Sequence, residues 1–158
     1  MSREISTCPL RLRHYPGHLE PEYAYTLGIA GERFFREIKE NARIMGAKCK
    51  KCGKIYVPPK LYCEECFEKL EEWVDVGTKG TVYTFTIAFL DEHGEKLEKP
   101  EIYALIKFKG TYGGIVHRLG EVKPENVRIG MKVQAVFKPL TERKGTINDI
   151  AYFKPVME

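Results

Sequence analysis

Along the second half of the chain, apolar residues recur at every other position. TVYTFTIAF sets Tyr83, Phe85, Ile87 and Phe89 on one face, and IYALIKF does the same with Ile102, Ala104, Ile106 and Phe108. A period of two belongs to a strand with one buried face. Shorter runs follow in GIVHRL, KVQAVFK and TINDIAYF. Glycines at 77, 80, 94, 110, 113, 114, 120, 130 and 145 separate these runs, as the sharp bends of a small closed sheet require. The charged stretch DEHGEKLEKP predicts a loop between the first two strands, and GTYGG near Gly110 predicts a hairpin turn.

Further upstream the period changes. In GERFFREIKENARIM, Phe34, Phe35, Ile38, Ala42 and Met45 recur at helical intervals with Glu, Lys and Arg between them. This predicts an amphipathic helix over 31–46 with Gly46 as its stop. Residues 1–30 carry Pro9, Pro16 and Pro21 among Tyr15, Tyr23 and Tyr25, the composition of an extended arm whose tyrosines are better buried on a surface than left in water. The expected organisation is therefore an arm over 1–30, a helix over 31–46, a cysteine-rich segment over 47–76 and a barrel over 77–158. The fold class is mainly β. Five strands fit a Greek-key barrel of the oligonucleotide/oligosaccharide-binding (OB) kind, because a sandwich takes about seven.

The cysteines change the picture most. Four of the five stand as Cys49/Cys52 and Cys63/Cys66, two Cys-x-x-Cys pairs ten residues apart. Each pair presents two sulfurs to one side of an ion, and together they complete a tetrahedral shell, with a hairpin between them: a zinc ribbon. Such a shell has no open position for water or substrate, so the metal is structural. Iron in the same sulfur cage is the alternative that geometry leaves open. Gly53 lets the first knuckle fold back toward the metal. Cys8 is left over as an ordinary thiol.

Charge and length add bounds. A chain of 158 residues, 43% hydrophobic and 30% charged, holds one main core with an appendage. No apolar run reaches the roughly 20 residues of a membrane span, and paired cysteines without a secretory leader fit a reduced compartment, so a cytoplasmic protein is expected. The net charge of +4 is mild for a nucleic-acid binder. Lys48, Lys50, Lys51, Lys54 and Lys60 crowd the first half of the cysteine segment, and Glu64, Glu65, Glu68, Glu71 and Glu72 the second. His14, His18, His93 and His117 are scattered, with no nucleophile placed beside them by motif, so no catalytic set emerges. GTYGG lacks the Lys-Ser/Thr of a phosphate-binding loop.

The pieces GERFFREIKENARIMGAKCKKCG, YVPPK, CEEC, Trp73, GTVYTFT and IGMKV together resemble the acyl-CoA-associated OB-fold family with a rubredoxin-like zinc ribbon, over residues 31–153. The resemblance implies a non-catalytic accessory subunit in a hetero-oligomer. Members pair with thiolase-fold proteins: acetoacetyl-CoA thiolase with hydroxymethylglutaryl-CoA synthase in archaea, benzoylsuccinyl-CoA thiolase in anaerobic toluene breakdown, and steroid side-chain enzymes. They bridge partners and help hold coenzyme A. For this chain the resemblance directs attention to the ribbon-to-barrel junction, with Lys54 and Lys60 as candidates for the CoA phosphates and Phe34 and Phe35 for the pantetheine path. Many relatives read Cys-Pro-x-Cys-Gly where this chain has CEECF, which removes a turn glycine but no ligand. The arm over 1–27 exceeds the shorter members and is expected to lie along the thiolase partner. The competing reading is a single-strand nucleic-acid binder, which needs exposed aromatics and a basic groove on the barrel; strict alternation instead places Tyr83, Phe85 and Phe89 inside.

Overall fold

A computed structural model of the chain describes residues 25–91 and 93–156. The arm expected over 1–30 falls outside them except for its last residues, where Tyr25, Leu27 and Ile29 are exposed.

Helix α1 spans Gly28–Asn41 and buries Ala30, Phe34 and Ile38, one face repeating every four residues. Phe34 and Ile38 join the main core, and Phe35 packs at its margin. The helix stops five residues before the expected glycine. Ala42 takes left-handed angles (φ 52°, ψ 41°) and its N–H returns to the Glu37 carbonyl, so Met45 and Gly46 leave the helix and open a strand. The interval that made Met45 look helical is a coincidence of spacing. Gly46 has a different duty: a Cβ there would stand 2.7 Å from Ile55 Cγ2 and 3.1 Å from the Tyr56 carbonyl, so glycine lets two strands approach.

Those strands are β1 (Met45–Lys48), β2 (Ile55–Val57) and β3 (Glu72–Asp75). β1 pairs antiparallel with both of the others. Next come β4 (Lys79–Leu90), β5 (Lys96–Lys107), β6 (Thr111–Gly113), β7 (Ile115–Leu119), β8 (Lys132–Phe137) and β9 (Ile150–Pro155). GTYGG is thus more than a hairpin turn. Its residues form β6, which pairs parallel with β2 and completes a four-stranded sheet in the order β3-β1-β2-β6. The ribbon is joined to the barrel through this ladder.

The remaining strands close in the order β4-β5-β7-β9-β8, the five-stranded OB arrangement expected from the strand count. The β5 alternation holds as read: Ile102, Ala104 and Ile106, with Phe108 just beyond, are buried with Val82, Ile115, Leu119, Val133, Ala135, Ile150 and Phe153. The β4 alternation does not. Val82 pairs with Ile106 but Thr84 with Leu105, and the bulge between them turns Tyr83 outward, where Lys107 Nζ lies 3.7 Å from the ring centre. An extra residue flips every later side chain. Gly80 and Val82 face in before it, Phe85 and Ile87 pack on the core after it, and Phe89 emerges exposed beside a second irregularity. The expected charged loop contracts to a turn held by the Asp91 carboxylate, which accepts from the His93 and Glu95 amides at 2.9 and 2.8 Å; β5 already begins at Lys96.

Candidate metal centre

The centre is built from two turns and one strand. Cys49 follows directly on the end of β1 and Cys52 lies in the turn after it, and the loop between β2 and β3 delivers Cys63 and Cys66. In each turn the first cysteine's N–H donates to the carbonyl five residues on, Cys49 to Lys54 at 2.8 Å and Cys63 to Glu68 at 2.9 Å. The residue after the second cysteine donates back, Gly53 to Cys49 at 2.8 Å and Phe67 to Cys63 at 3.0 Å. These paired bonds curl each backbone around its two sulfurs.

All four Sγ atoms lie within 4.8 Å of one another, and Cys52 Sγ is 3.6 Å from Cys63 Sγ. Four sulfurs at about 2.3 Å from a zinc ion stand about 3.8 Å apart along each tetrahedral edge, so the residues present fit the ion. The surroundings also suit thiolate. The Tyr56 hydroxyl lies 3.3 Å from Cys63 Sγ and the Cys66 N–H donates to the same sulfur at 3.5 Å. The Tyr56 bond, seconded by the Cys66 amide, lowers the Cys63 thiol to about 6, and the same bond pushes the Tyr56 hydroxyl up to about 12. Both bonds favour the charged sulfur, the form that binds a metal. Cys66, hydrogen-bonded to Cys52 and removed from water, is pushed up to about 12, so it would bind a metal only by releasing its proton to solvent. Among the described residues Cys49, Cys52, Cys63 and Cys66 are the group able to hold a metal ion.

Of the four residues singled out for CoA, Lys54 and Lys60 lie on the ribbon, whereas Phe34 and Phe35 lie at the helix–barrel contact. Lys54 is ion-paired to Glu65 and lies 4.5 Å from the Tyr112 ring centre. Lys60 is paired to Glu64 and lies 5.5 Å from the Tyr56 ring centre. Phe34 and Phe35, 5.3 Å apart edge to face, line an apolar cleft of about 260 Å³ with Pro58, Pro59, Ile115 and Ile147. Lys48 pairs with Glu72 across β1 and β3, and Arg33 of the helix stacks 4.4 Å above Trp73, tying helix to ribbon.

Two features escaped the sequence reading. Tyr56 was legible only as an aromatic in a motif; its offset of four from Cys52, on an alternating strand, was the available signal. Phe67 stands where many relatives have glycine, and its left-handed backbone (φ 55°) follows from the symmetry of the two knuckles.

A four-cysteine ribbon joined by strand pairing to a closed OB barrel defines a class of two-part metalloprotein. Residues 36–71 match the rubredoxin-like zinc ribbon domain of ChsH2 and residues 73–138 its C-terminal OB-fold domain. The chain is 34% identical to a DUF35 domain-containing scaffold protein of Methanocaldococcus jannaschii, over 78% of this chain and 89% of that one. It is 25% identical to the benzoylsuccinyl-CoA thiolase subunit BbsA of Geobacter metallireducens, over 72% and 75%. A solved structure of a DUF35-family protein of unknown function from Sulfolobus solfataricus matches with a TM-score of 0.63 and 34% identity, over 81% of this chain and 84% of that one. The chain belongs to the DUF35 family, whose parts are the ChsH2-type zinc ribbon and OB-fold domains. The ion that fits its four sulfurs is zinc in a structural role.

Proposed function

We propose that this chain is a non-catalytic scaffold subunit of a thiolase-like acyl-CoA enzyme complex, a hetero-oligomer in which ribbon and helix present a docking plate to a thiolase-fold partner. The observation that carries the reading is the sulfur tetrad. Four protein ligands leave the metal no position at which to polarise a carbonyl or activate water, while the β2–β6 ladder makes the ribbon rigid with the barrel. The scaffold and thiolase-subunit relatives support the same role.

Coenzyme A is the second ligand of this proposal. The cleft at Phe34 and Phe35 is smaller than the roughly 300–1,000 Å³ of a pocket for a whole ligand, and it suits a thin pantetheine chain. Phosphates would draw Lys54 and Lys60 away from Glu65 and Glu64. The Lys60–Glu64 pair is exposed and such pairs are worth only about 0–1 kcal/mol, so that exchange costs little; Lys54 is more enclosed and its exchange costs more.

Nucleic-acid binding is the weaker account, although Tyr83 and Phe89 are exposed. The open groove beside β5 and β7 carries Arg118 and Lys138, but Arg118 is already turned to Glu101 and to the Ala151 carbonyl. His117 is buried, its Nε2 set 3.3 Å from the Ile147 carbonyl. That is a poor basic track for a strand of phosphates.

The test is purification of the full chain from its source cells, with mass determination of what accompanies it and an assay of the isolated chain for thioester turnover. A thiolase-fold protein in stoichiometric complex and an inert isolated chain are expected. Turnover of thioesters by the chain alone overturns the proposal.

A further inference from the structure

The two knuckles share one hydrogen-bonded frame and differ in the residue at its tightest point. That residue must be left-handed, and both are: φ is +75° at Gly53 and +55° at Phe67. Glycine adopts this angle freely. A bulky L residue is strained there; such strain persists where the surrounding structure holds the backbone, and it clusters at functional positions.

Nothing among the described residues requires this side chain. The Phe67 ring is 80% exposed, and among the described residues no aromatic or cationic group stacks on it. Leu61 and Tyr62, on the same hairpin, are exposed as well. The hairpin is also acidic. Residues 61–72 hold Glu64, Glu65, Glu68, Glu71 and Glu72 against Lys69 alone, in a chain whose net charge is +4. Glu64, Glu65, Glu71 and Glu72 pair with Lys60, Lys54, Lys69 and Lys48. The Lys60–Glu64 and Lys69–Glu71 pairs are exposed and exchangeable, whereas Lys54 and Lys48 are partly buried in theirs, and Glu68 has no ion pair among the described residues.

We infer that Phe67 is the anchor of the second knuckle, an exposed aromatic that inserts into an apolar socket rimmed by Lys or Arg on the thiolase-fold partner. The inference rests on the scaffold reading and deepens it by naming the contact and the chemistry of the surface that receives it. Buried aromatics at the centre of an interface carry most of its binding energy, and a ring of opposite charge around the anchor steers the encounter and fixes the register. The metal supplies the third requirement: a strained residue is held in place only by a rigid frame, and the sulfur tetrad makes this one.

The experiment compares full-length chain and variants against the thiolase-fold subunit that co-purifies with it, expressed separately, by titration calorimetry. Phe67→Gly suits the frame better than the native residue and should keep its zinc and melt no lower than wild type. Its affinity for the subunit should nevertheless fall by about 20-fold or more, and Phe67→Ala should fall likewise. Phe67→Trp should stay within about fivefold of wild type, because another large ring fills the same socket. A Phe67→Gly chain that binds within about threefold of wild type overturns the anchor while leaving the scaffold reading intact, since ordinary rim contacts change affinity little. A wild-type chain that fails to bind the subunit overturns both. Loss of self-association by light scattering in Phe67→Gly, with unchanged subunit binding, makes a second copy of this chain the occupant and overturns the assignment.

Discussion

The barrel closes around Val82, Ile106, Val133, Ile150 and Phe153, none of them more than 1% exposed. The ribbon's own buried cluster is Ala47, Cys49, Tyr56, Cys63 and Leu70, and two of those five are metal ligands. Fully burying a side chain such as Phe or Ile contributes about 1.5–3 kcal/mol, so the barrel has a hydrophobic reason to fold that the ribbon lacks. What the ribbon has instead is coordination, worth about 10–16 kcal/mol for structural zinc in small peptides at neutral pH. The difference separates two jobs. The barrel supplies a stable body, and the metal holds a short hairpin rigid at a surface where hydrophobic packing alone could not.

The largest break in that comparison comes from the sulfurs. Chelation, or Cys63→Ser, should erase amide-exchange protection across the ribbon strands while the barrel strands stay protected. Uniform loss across both parts would show that the ribbon is no separate unit. Next is the converse change, Phe153→Ala, which removes a ring packed between Phe108 and His117. It should lower stability by about 3–5 kcal/mol in denaturant titrations, with zinc still bound in the folded protein.

A smaller effect sharpens the barrel side. The Asp149 carboxylate is buried and accepts from the Lys144, Gly145 and Thr146 amides at 2.8, 2.7 and 3.3 Å. Burial pushes its pKa up, but the three donors outweigh burial and hold it below the ordinary carboxylate value. A carboxylate with a depressed folded pKa stabilises the fold above its unfolded pKa and loses that contribution as pH falls through the folded one. Asp149→Asn should cost about 1–3 kcal/mol at neutral pH, and its deficit against wild type should shrink as pH drops below about 4. The ribbon counterpart is Tyr56→Phe. It takes a hydroxyl from the Cys63 sulfur and should weaken zinc retention about tenfold in a chelator competition, with barrel stability unchanged. The smallest change expected is a gain: Phe67→Gly should raise ribbon stability by up to about 1 kcal/mol, by removing the cost of a left-handed L residue.

Legibility in the sequence followed the range of the interaction. Cysteine spacing is local, so the tetrad could be read from Cys49, Cys52, Cys63 and Cys66 directly, and so could the β5 face, where strict alternation survives. The helix end was not legible, because Ala42 and Met45 keep a helical interval although the chain has already reversed at Ala42. The outward turn of Tyr83 depends on a bulge against Leu105 and Ile106, which no local period encodes. β6 looked like a turn because its partner, β2, lies more than fifty residues earlier. Family resemblance supplied the expectation of CoA and a thiolase partner, and no pattern of side chains here specifies either one.

The account depends on a metal whose whole coordination sphere is protein sulfur. X-ray absorption at the zinc edge of the purified full chain tests this most directly. The prediction is a single shell of four sulfurs at about 2.3 Å. A shell with three sulfurs and one oxygen or nitrogen near about 2.0–2.1 Å would contradict it, because a metal with an exchangeable ligand can act on a substrate.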